Sequence, residues 1–137
     1  MAPPRLAASK LERELAQDLR RSVLCGELNW GREAVDDGWD QGADVALVSD
    51  REKPVATGRL LQRSQRWWLD LVAVLPRHRR QGLGRELAAF LAGLAREKGA
   101  DSLWVLAPPP SVPFFQACGF VRDQGDSELC LMVRNFN

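Results

Sequence analysis

The spacing of apolar residues predicts two amphipathic helices, one in each half of the chain. The first is predicted over residues 6–24, with Ser9 near its start. Its apolar stripe repeats every four residues, at Leu11, Leu15, Leu19 and Val23. The second helix follows Gly84 and ends at Gly99. Its apolar face comprises Leu83, Leu87, Phe90, Leu91 and Leu94.

The remaining pattern predicts strands that alternate with short helices. Three strands are expected at residues 43–49, 54–61 and 66–75, and residues 50–53 carry a hairpin signal. Residues 26–42 fit neither period and predict a loop with a short helical turn. After the second long helix come a strand at 102–106, a short helix at 112–117, and a final strand pair around Phe120 and residues 129–133. This order predicts an α/β fold, with a mixed, mainly antiparallel sheet and one β-α-β crossover.

Length and composition predict one domain over residues 1–137. Hydrophobic residues make up 45% and charged residues 27%, as is usual for a globular protein. The net charge of +1 argues against a dedicated nucleic-acid binder, and no apolar stretch approaches the ~20 residues that span a bilayer. The three cysteines show no C-x-x-C spacing, which argues against a disulfide framework or a zinc site and predicts a cytoplasmic protein.

Charge is distributed unevenly along the chain. Four arginines fall within nine residues that contain no acid: Arg77, Arg79, Arg80 and Arg85. Upstream, an acidic stretch contains Glu27, Glu33, Asp36, Asp37, Asp40 and Asp44. The two clusters indicate either two different ligand contacts or simply two solvated faces.

The arginine cluster lies between a strand and a helix. The strand ends near Leu75, Pro76 interrupts it, and Gly82 and Gly84 lead into the helix. Helix N-termini bind anions because their first N–H groups are unpaired, and glycine lets an anion approach the backbone. The segment therefore predicts a diphosphate site, with a solvated arginine loop as the alternative. A P-loop needs Lys and Ser/Thr where this chain has Arg85 and Glu86, and a dinucleotide fingerprint needs a small residue where it has Leu87. Both of these phosphate-binding motifs are therefore excluded.

These residues resemble the GNAT superfamily of acyl-CoA-dependent N-acyltransferases. The sequence RRQGLG at residues 79–84 matches the superfamily pattern R/Q-x-x-G-x-G/A. The sequence FFQACGF at residues 114–120 is similar to the second signature, F-Y-x-x-x-G-F. Upstream, residues 19–37 are similar to the ElaA-like branch, which carries LR-x-x-VF-x-x-E before an acidic segment.

The resemblance implies a GNAT-like fold, in which helices flank a splayed, mostly antiparallel sheet that holds acetyl-CoA in its opening. It implies that the pantetheine arm pairs with the backbone of the third long strand and that the pyrophosphate lies on amides of the glycine loop. The cofactor-binding residues it implies are Val72, Ala73, Val74, Arg79, Arg80, Gln81, Gly82, Leu83, Gly84, Arg85 and Phe115. Phe115 stands where the second signature has tyrosine, and the chain contains no tyrosine.

Two acidic residues are candidates for catalysis. Asp70 alternates with Val72 and Val74, which predicts that all three share one face of the strand and that Asp70 is a general base. The alternative for Asp70 is a salt bridge to an arginine. Glu27 matches the branch glutamate and is predicted to hold a cationic acceptor or act as base, with a surface charge as the alternative. No metal site is predicted, since the single histidine lies among arginines.

Together these features predict an N-acetyltransferase that moves an acetyl group from acetyl-CoA to a primary amine of a small, cationic acceptor. The amine is expected to attack directly in a ternary complex. One alternative is a non-catalytic acyl-CoA-binding protein of the same fold, favoured by Phe115. The other is a nucleic-acid-binding module that uses residues 77–85. The expected partner is a small-molecule amine, without nucleic acid or membrane, and a homodimer is left open.

Overall fold

Seven strands form one mixed sheet in the computed structural model, which describes residues 2–124 and 128–136. The spatial order is β1-β2-β3-β4-β5-β7-β6. The strands are β1 (Arg5–Leu6), β2 (Asp44–Asp50), β3 (Lys53–Arg63), β4 (Arg66–Val74), β5 (Ser102–Ala107), β6 (Val121–Gln124) and β7 (Cys130–Asn135). All neighbours are antiparallel except β4 and β5, which are parallel. The predicted α/β fold with a mainly antiparallel sheet is confirmed.

Helices lie on both faces of this sheet. The α-helices are α1 (Lys10–Arg20), α2 (Arg32–Val35), α3 (Leu83–Glu97) and α4 (Val112–Ala117). A π-helical segment, Arg21–Glu27, continues α1, and the three 3₁₀ turns are Asp40–Gly42, Pro76–His78 and Pro109–Ser111. Within the described ranges, none of the helices is both long and apolar enough to cross a membrane.

The first helix is shorter than the prediction over residues 6–24. Leu6 belongs to strand β1 and lies opposite Ala46 of β2, a pairing that the helical pattern did not indicate. Helix α1 begins after Ser9, whose side-chain oxygen accepts the Glu12 N–H at 3.1 Å and caps the helix as expected. After Arg20 the chain continues as a π-helix, so the predicted helical stretch changes its hydrogen bonding midway.

The predicted apolar stripe of this helix is wrong in its first half, because Leu11 is 64% and Leu15 is 38% exposed. A strict four-residue repeat drifts by roughly 40° per step on a helix of 3.6 residues per turn, so it cannot stay on one face. The buried positions instead follow the three-and-four spacing that a straight helix requires. They are Ala16, Leu19, Arg20, Val23 and Leu24.

The sheet has two apolar faces, which we name after the helices that cover them. On the α3 face, Leu87 and Leu91 pack with the main core, which includes Leu69 of β4 and Leu103 of β5. On the α1 face, the smaller cores join α1, the π-helical segment and α2 to β2 and β4. Their members are Ala16, Leu19, Val23, Leu24, Val35, Val45, Leu47, Leu71 and Ala73.

A β-bulge at Leu71 reverses the alternation of side chains in β4. Leu71 has a φ of 48°, and the register passes from Arg59 opposite Asp70 to Thr57 opposite Ala73. Three steps along β4 therefore match two steps along β3. Leu71 joins the α1-face core, whereas Leu69 before it packs on the α3 face. Asp70 consequently points to the α1 face.

The prediction that Asp70 shares a face with Val72 and Val74 is therefore wrong. Val72 and Val74 pack against the α3-face core, on the side of the sheet opposite Asp70. Simple alternation fails here because the bulge adds one residue between the two groups. As a result, β4 presents a carboxylate to one face and apolar side chains to the other within five residues.

The sheet opens between β4 and β5. Within residues 2–124 and 128–136 the two strands have a single pair of register partners, Trp68 and Trp104. Beyond that pair, the edge of β4 along Leu69–Val74 has no register partner on β5 in the described chain. A strand edge without a partner keeps N–H and C=O groups available for a ligand.

Candidate active site

The arginine loop joins the end of β4 to the start of α3 through the turn Pro76–His78. The Leu75 N–H donates to the Val55 carbonyl at 2.9 Å, and the His78 N–H donates back to Leu75 at 2.9 Å. His78 Nε2 lies 3.1 Å from Asp50 Oδ2, at the end of β2. The loop is therefore held against the β2–β3 hairpin, and His78 serves as an anchor there.

The start of α3 has the geometry of an anion site. Gly82 precedes the helix with a φ of 80°, a left-handed conformation that glycine adopts readily. The first intrahelical bond runs from Glu86 N–H to Gly82 O at 3.0 Å, so the amides of residues 83–85 have no carbonyl partner within the helix. A Cβ on Gly82 would meet no atom of the chain within 4 Å, which leaves room beside the helix start. These residues fit a bound pyrophosphate.

Gly84 serves packing rather than anion approach. A Cβ at this position would lie 3.0 Å from two ring atoms of Phe114, Cε1 and Cζ. The missing side chain lets the first turn of α3 lie against the Phe114 ring. The sequence interpretation gave both glycines the same role, whereas only Gly82 borders open space.

Arg79 and Glu27, which the sequence assigned to different half-sites, contact each other. Arg79 Nη2 lies 2.9 Å from both Glu27 carboxylate oxygens, and Arg79 Nε donates to the Val74 carbonyl at 3.0 Å. The guanidinium thus connects the end of β4 to the end of the π-helical segment. Arg80 and Arg85 are exposed near the helix start, where their charge complements a diphosphate.

A cluster of two arginines and three aspartates lies on the α1 face beside the bulge; we call it the aspartate cluster. Buried Arg59 donates two hydrogen bonds to Asp37 at 2.7 and 2.8 Å and two to Asp70 at 2.8 Å. It also donates to Asp40 at 3.1 Å. Buried Arg20 donates to both oxygens of Asp40 at 2.7 and 2.9 Å. The structure thus shows Asp70 in a salt bridge to an arginine, which was the alternative to a general base.

The electrostatics of the aspartate cluster favour the charged forms of Arg59 and Asp37. Burial opposes the charge on Arg59, but the hydrogen bonds that Arg59 donates to Asp37 and Asp70 outweigh burial and raise the Arg59 pKa above its ordinary value. Burial likewise opposes ionisation of Asp37, yet hydrogen bonds from Arg59 and the Trp39 N–H lower its pKa. Three carboxylates against two guanidinium groups leave an excess of one negative charge.

Phe115 lies inside the aromatic packing of α4. Its ring makes edge-on contacts with Phe114 at 5.0 Å and Phe120 at 5.7 Å between centroids, and it is buried in the α3-face core. The FFQACGF segment therefore packs into the α3-face core and, through Phe114, against the first turn of α3. No phenolic hydroxyl is available, because the sequence contains no tyrosine.

Sequence reasoning assigned no role to Arg20 and Arg59, the two cations of the aspartate cluster. A signal was present for Arg59, because it is the only charged residue in the mainly apolar stretch of residues 55–61. A charged residue inside such a strand must be paired when it is buried. Its partners lie 11 to 22 positions away, which the strand pattern does not indicate.

Comparisons with known proteins agree on one family and one fold. Residues 11–120 match the family model described as acetyltransferase (GNAT) family. The chain is 29% identical over 102 residues to the uncharacterized N-acetyltransferase YjcF of Bacillus subtilis (strain 168), covering 74% of this chain and 73% of that protein.

Two solved structures show the same fold. ElaA of Escherichia coli matches with a TM-score of 0.84 and 19% identity, covering 98% of this chain and all of that one (100%). An acetyltransferase of Bacillus subtilis in complex with CoA matches with a TM-score of 0.77 and 14% identity, covering 98% and 99% of the two chains. These likenesses confirm the predicted GNAT-like fold.

Proposed function

The chain belongs to the acetyltransferase (GNAT) family, and on this basis we propose that it transfers an acetyl group from acetyl-CoA to a primary amine of a small, cationic acceptor. The observation that carries the proposal is the arrangement around β4. One end of this strand leads to the anion-binding start of α3, and its bulge presents Asp70 from a cluster with excess negative charge.

The chain's own residues suit two parts of acetyl-CoA, the pyrophosphate and the pantetheine arm. The amides of residues 83–85 and the open space beside Gly82 suit the pyrophosphate, with Arg80 and Arg85 supplying positive charge. The edge of β4 along Val72–Val74, which has no register partner on β5 in the described chain, suits the amide groups of the pantetheine arm up to the Val74 carbonyl, which Arg79 occupies. When bound, acetyl-CoA supplies a thioester whose acyl carbon bonds to the amine nitrogen as the carbon–sulfur bond breaks and sulfur keeps the electron pair.

Asp70 is assigned to the acceptor amine. Its carboxylate holds the ammonium ion at the bulge and receives one proton, which passes on to water and leaves the nitrogen lone pair free to attack. The second proton leaves the nitrogen for water as the new bond forms, and the departing thiolate takes up a proton from water. Glu27 is assigned to the acceptor side of the site, and its ion pair with Arg79 fixes its position.

Replacing Gly82 with valine is expected to abolish the stabilisation that acetyl-CoA confers. In the parent protein, ligand at one hundred times its dissociation constant should add about 2.7 kcal/mol to the free energy of unfolding. A branched side chain at Gly82 would fill the space beside the α3 amides. The measurement is the shift in melting temperature on adding acetyl-CoA.

The matched control is Gly99→Val at the other end of α3. Gly99 has a φ of 94° and also borders open space, so valine introduces the same kind of backbone strain there. Gly99→Val should lower the melting temperature of the free protein while keeping the ligand-induced shift. An unchanged shift in Gly82→Val would refute the pyrophosphate assignment.

Replacing Glu27 with glutamine is expected to raise the KM for the amine more than it weakens acetyl-CoA binding. The Arg79–Glu27 pair is partly exposed, and such pairs contribute no more than about 1 kcal/mol, so acetyl-CoA affinity should fall less than about fivefold. Amine KM and acetyl-CoA Kd are measured separately. Glu33→Gln in the same acidic segment is the control, and equal losses in both constants would make Glu27 structural.

A second candidate function is binding of acyl-CoA without transfer, which Phe115 favours because it lacks the tyrosine hydroxyl of the second signature. A thiol, however, has a pKa near ~8.5, so coenzyme A can leave largely unprotonated. An assay of thiol release with a panel of primary amines decides between the two functions. Release above the spontaneous rate supports transfer, and binding without release supports the second candidate.

A further inference from the structure

In the described part of the chain, the helices on the α1 face cover only part of the sheet. Helix α1, the π-helical segment and α2 pack over β2 and β4, and the cores they form contain no residue of β5, β6 or β7. In β5, Leu103, Val105 and Ala107 are buried in the α3-face core, so the alternating Trp104 and Leu106 point to the α1 face.

The side chains on this area form an apolar surface, which we call the apolar strip. Its members are Trp104, Leu106, Val121, Leu131 and Val133. Cross-strand pairing places Trp104 opposite Val133 and Leu106 opposite Leu131, while Val121 of β6 lies opposite Val133. Leu106 is 50% and Val121 is 59% exposed, whereas Val133 is buried and the Arg66 guanidinium lies 3.9 Å from the centre of the Trp104 ring. Large exposed apolar side chains such as Leu106 and Val121 suit the apolar part of a ligand.

The strand register places Asp70 on the same face as this strip, across the opening between β4 and β5. Trp68 of β4 lies opposite Trp104 of β5, and their rings are 6.4 Å apart between centroids. Asp70 and Leu106 each follow this pair by two residues, past the point where the two strands separate, and both point to the α1 face. The Asp70 side chain is 36% exposed, against 23% and 24% for Asp37 and Asp40, so it is the carboxylate of the aspartate cluster most open to a ligand.

Charge and apolar surface together define the ligand. The aspartate cluster carries one negative charge in excess, and its most exposed carboxylate borders the strip. We propose that the acceptor is an amphipathic primary amine, whose ammonium group binds Asp70 and whose alkyl or aryl body lies on the apolar strip. This inference rests on the proposed function, because it uses the amine that Asp70 would receive.

A second copy of the chain fits the apolar strip less well than such an amine. A symmetric contact through this face would bring two aspartate clusters into the interface, each with an unbalanced negative charge. Burying charge without a partner is costly. An amphipathic amine instead supplies a positive charge to the aspartate cluster and an apolar group to the apolar strip.

The test is a series of straight-chain primary amines, from propylamine to octylamine, with ethanolamine as the polar member. We expect kcat/KM for thiol release to rise roughly fourfold for each methylene that the strip covers, the ratio that about 0.8 kcal/mol gives. Ethanolamine should react more slowly than propylamine. A rate that is indifferent to chain length would overturn the apolar strip as the acceptor surface while leaving the proposed function intact.

Leu106→Gln is the variant that tests the strip, because its half-exposed side chain can change without loss of the core. It should flatten the dependence on chain length and lower kcat/KM for octylamine at least tenfold. Leu11→Gln is the matched control, since Leu11 is an exposed leucine of α1 that belongs to none of the apolar cores. An equal loss in Leu11→Gln would show that octylamine acts through unspecific adsorption and overturn the proposal.

Binding measurements separate this inference from the proposed function. Calorimetry with the same amines, in the presence of coenzyme A, reports affinity without any transfer. If affinity rises along the series and falls in Leu106→Gln while no thiol is released, the acceptor surface stands and the transferase proposal fails. Light scattering is the remaining check, and a dimer that Leu106→Gln dissociates would show that the strip is an interface between copies and overturn the inference.

Discussion

Arg59→Met is expected to lower the free energy of unfolding by about 3–5 kcal/mol at pH 7. Arg59 is buried and is the only residue that contacts all three carboxylates of the aspartate cluster among the described residues. Methionine fills much of the same volume but leaves Asp37 and Asp70 without their cation. The loss is therefore that of unpaired, partly buried charge rather than that of packing.

The difference between Arg59→Met and the parent should depend on pH. Arg59 lowers the Asp37 pKa, so the stabilisation from Asp37 is fully present above its ordinary pKa of about 3.9 and is lost as pH falls through the lowered value. In Arg59→Met the hydrogen bonds from Arg59 to ionised Asp37 are gone, and only the one from the Trp39 N–H remains. Protonation then costs the variant less than the parent, and the gap in stability should narrow below about pH 4.

Chemical denaturation at pH 7 and at pH 3.5 measures both effects. Arg63→Met is the matched control, because Arg63 ends the same strand, is exposed, and lies 4.6 Å from the centre of the Trp39 ring. Its loss should cost no more than about 1 kcal/mol and change little with pH. If both variants lose the same free energy of unfolding at pH 7, the aspartate cluster stabilises the fold no more than a surface contact does.

Local signals predicted the elements that we propose to hold acetyl-CoA. The strand at residues 66–75, the arginine loop and the helix after Gly84 were all expected, and the structure has β4 (Arg66–Val74) and α3 (Leu83–Glu97) there. Each depends on neighbours along the chain: alternation in β4, a proline that interrupts it, and a glycine that permits a left-handed turn. The predicted short helix at residues 112–117 also coincides with α4 (Val112–Ala117).

The proposed acceptor side of the site depends on contacts that the sequence pattern does not indicate. The bulge at Leu71 lies in a strand without glycine, proline or asparagine, the residues that usually announce an irregularity. It is evident only from the register against β3, and it decides which face Asp70 occupies. The pairing of β1 with β2 has the same origin, since two residues become a strand only when a partner edge is present.

Asp70→Asn is expected to lower kcat/KM for amine acetylation by about 10²- to 10⁴-fold, the range typical of a lost proton-transfer group. Asparagine keeps the shape of the side chain but loses the charge that holds an ammonium ion. It also removes one of the carboxylates that Arg59 contacts. Acetyl-CoA affinity should remain within about threefold of the parent, because the helix start and the β4 edge are unchanged.

Asp37→Asn is the control that separates proton transfer by Asp70 from the structural contact of Asp70 with Arg59. Asp37 and Asp70 each accept two hydrogen bonds from Arg59, so either substitution removes one of its carboxylate partners. Only Asp70 belongs to β4 at the bulge, beside the apolar strip. Single-turnover thiol release with a competent amine should therefore fall steeply in Asp70→Asn and less than about tenfold in Asp37→Asn. Equal losses would mean that Asp70 acts by holding Arg59 in place, and the proton would then have to leave the amine through water alone.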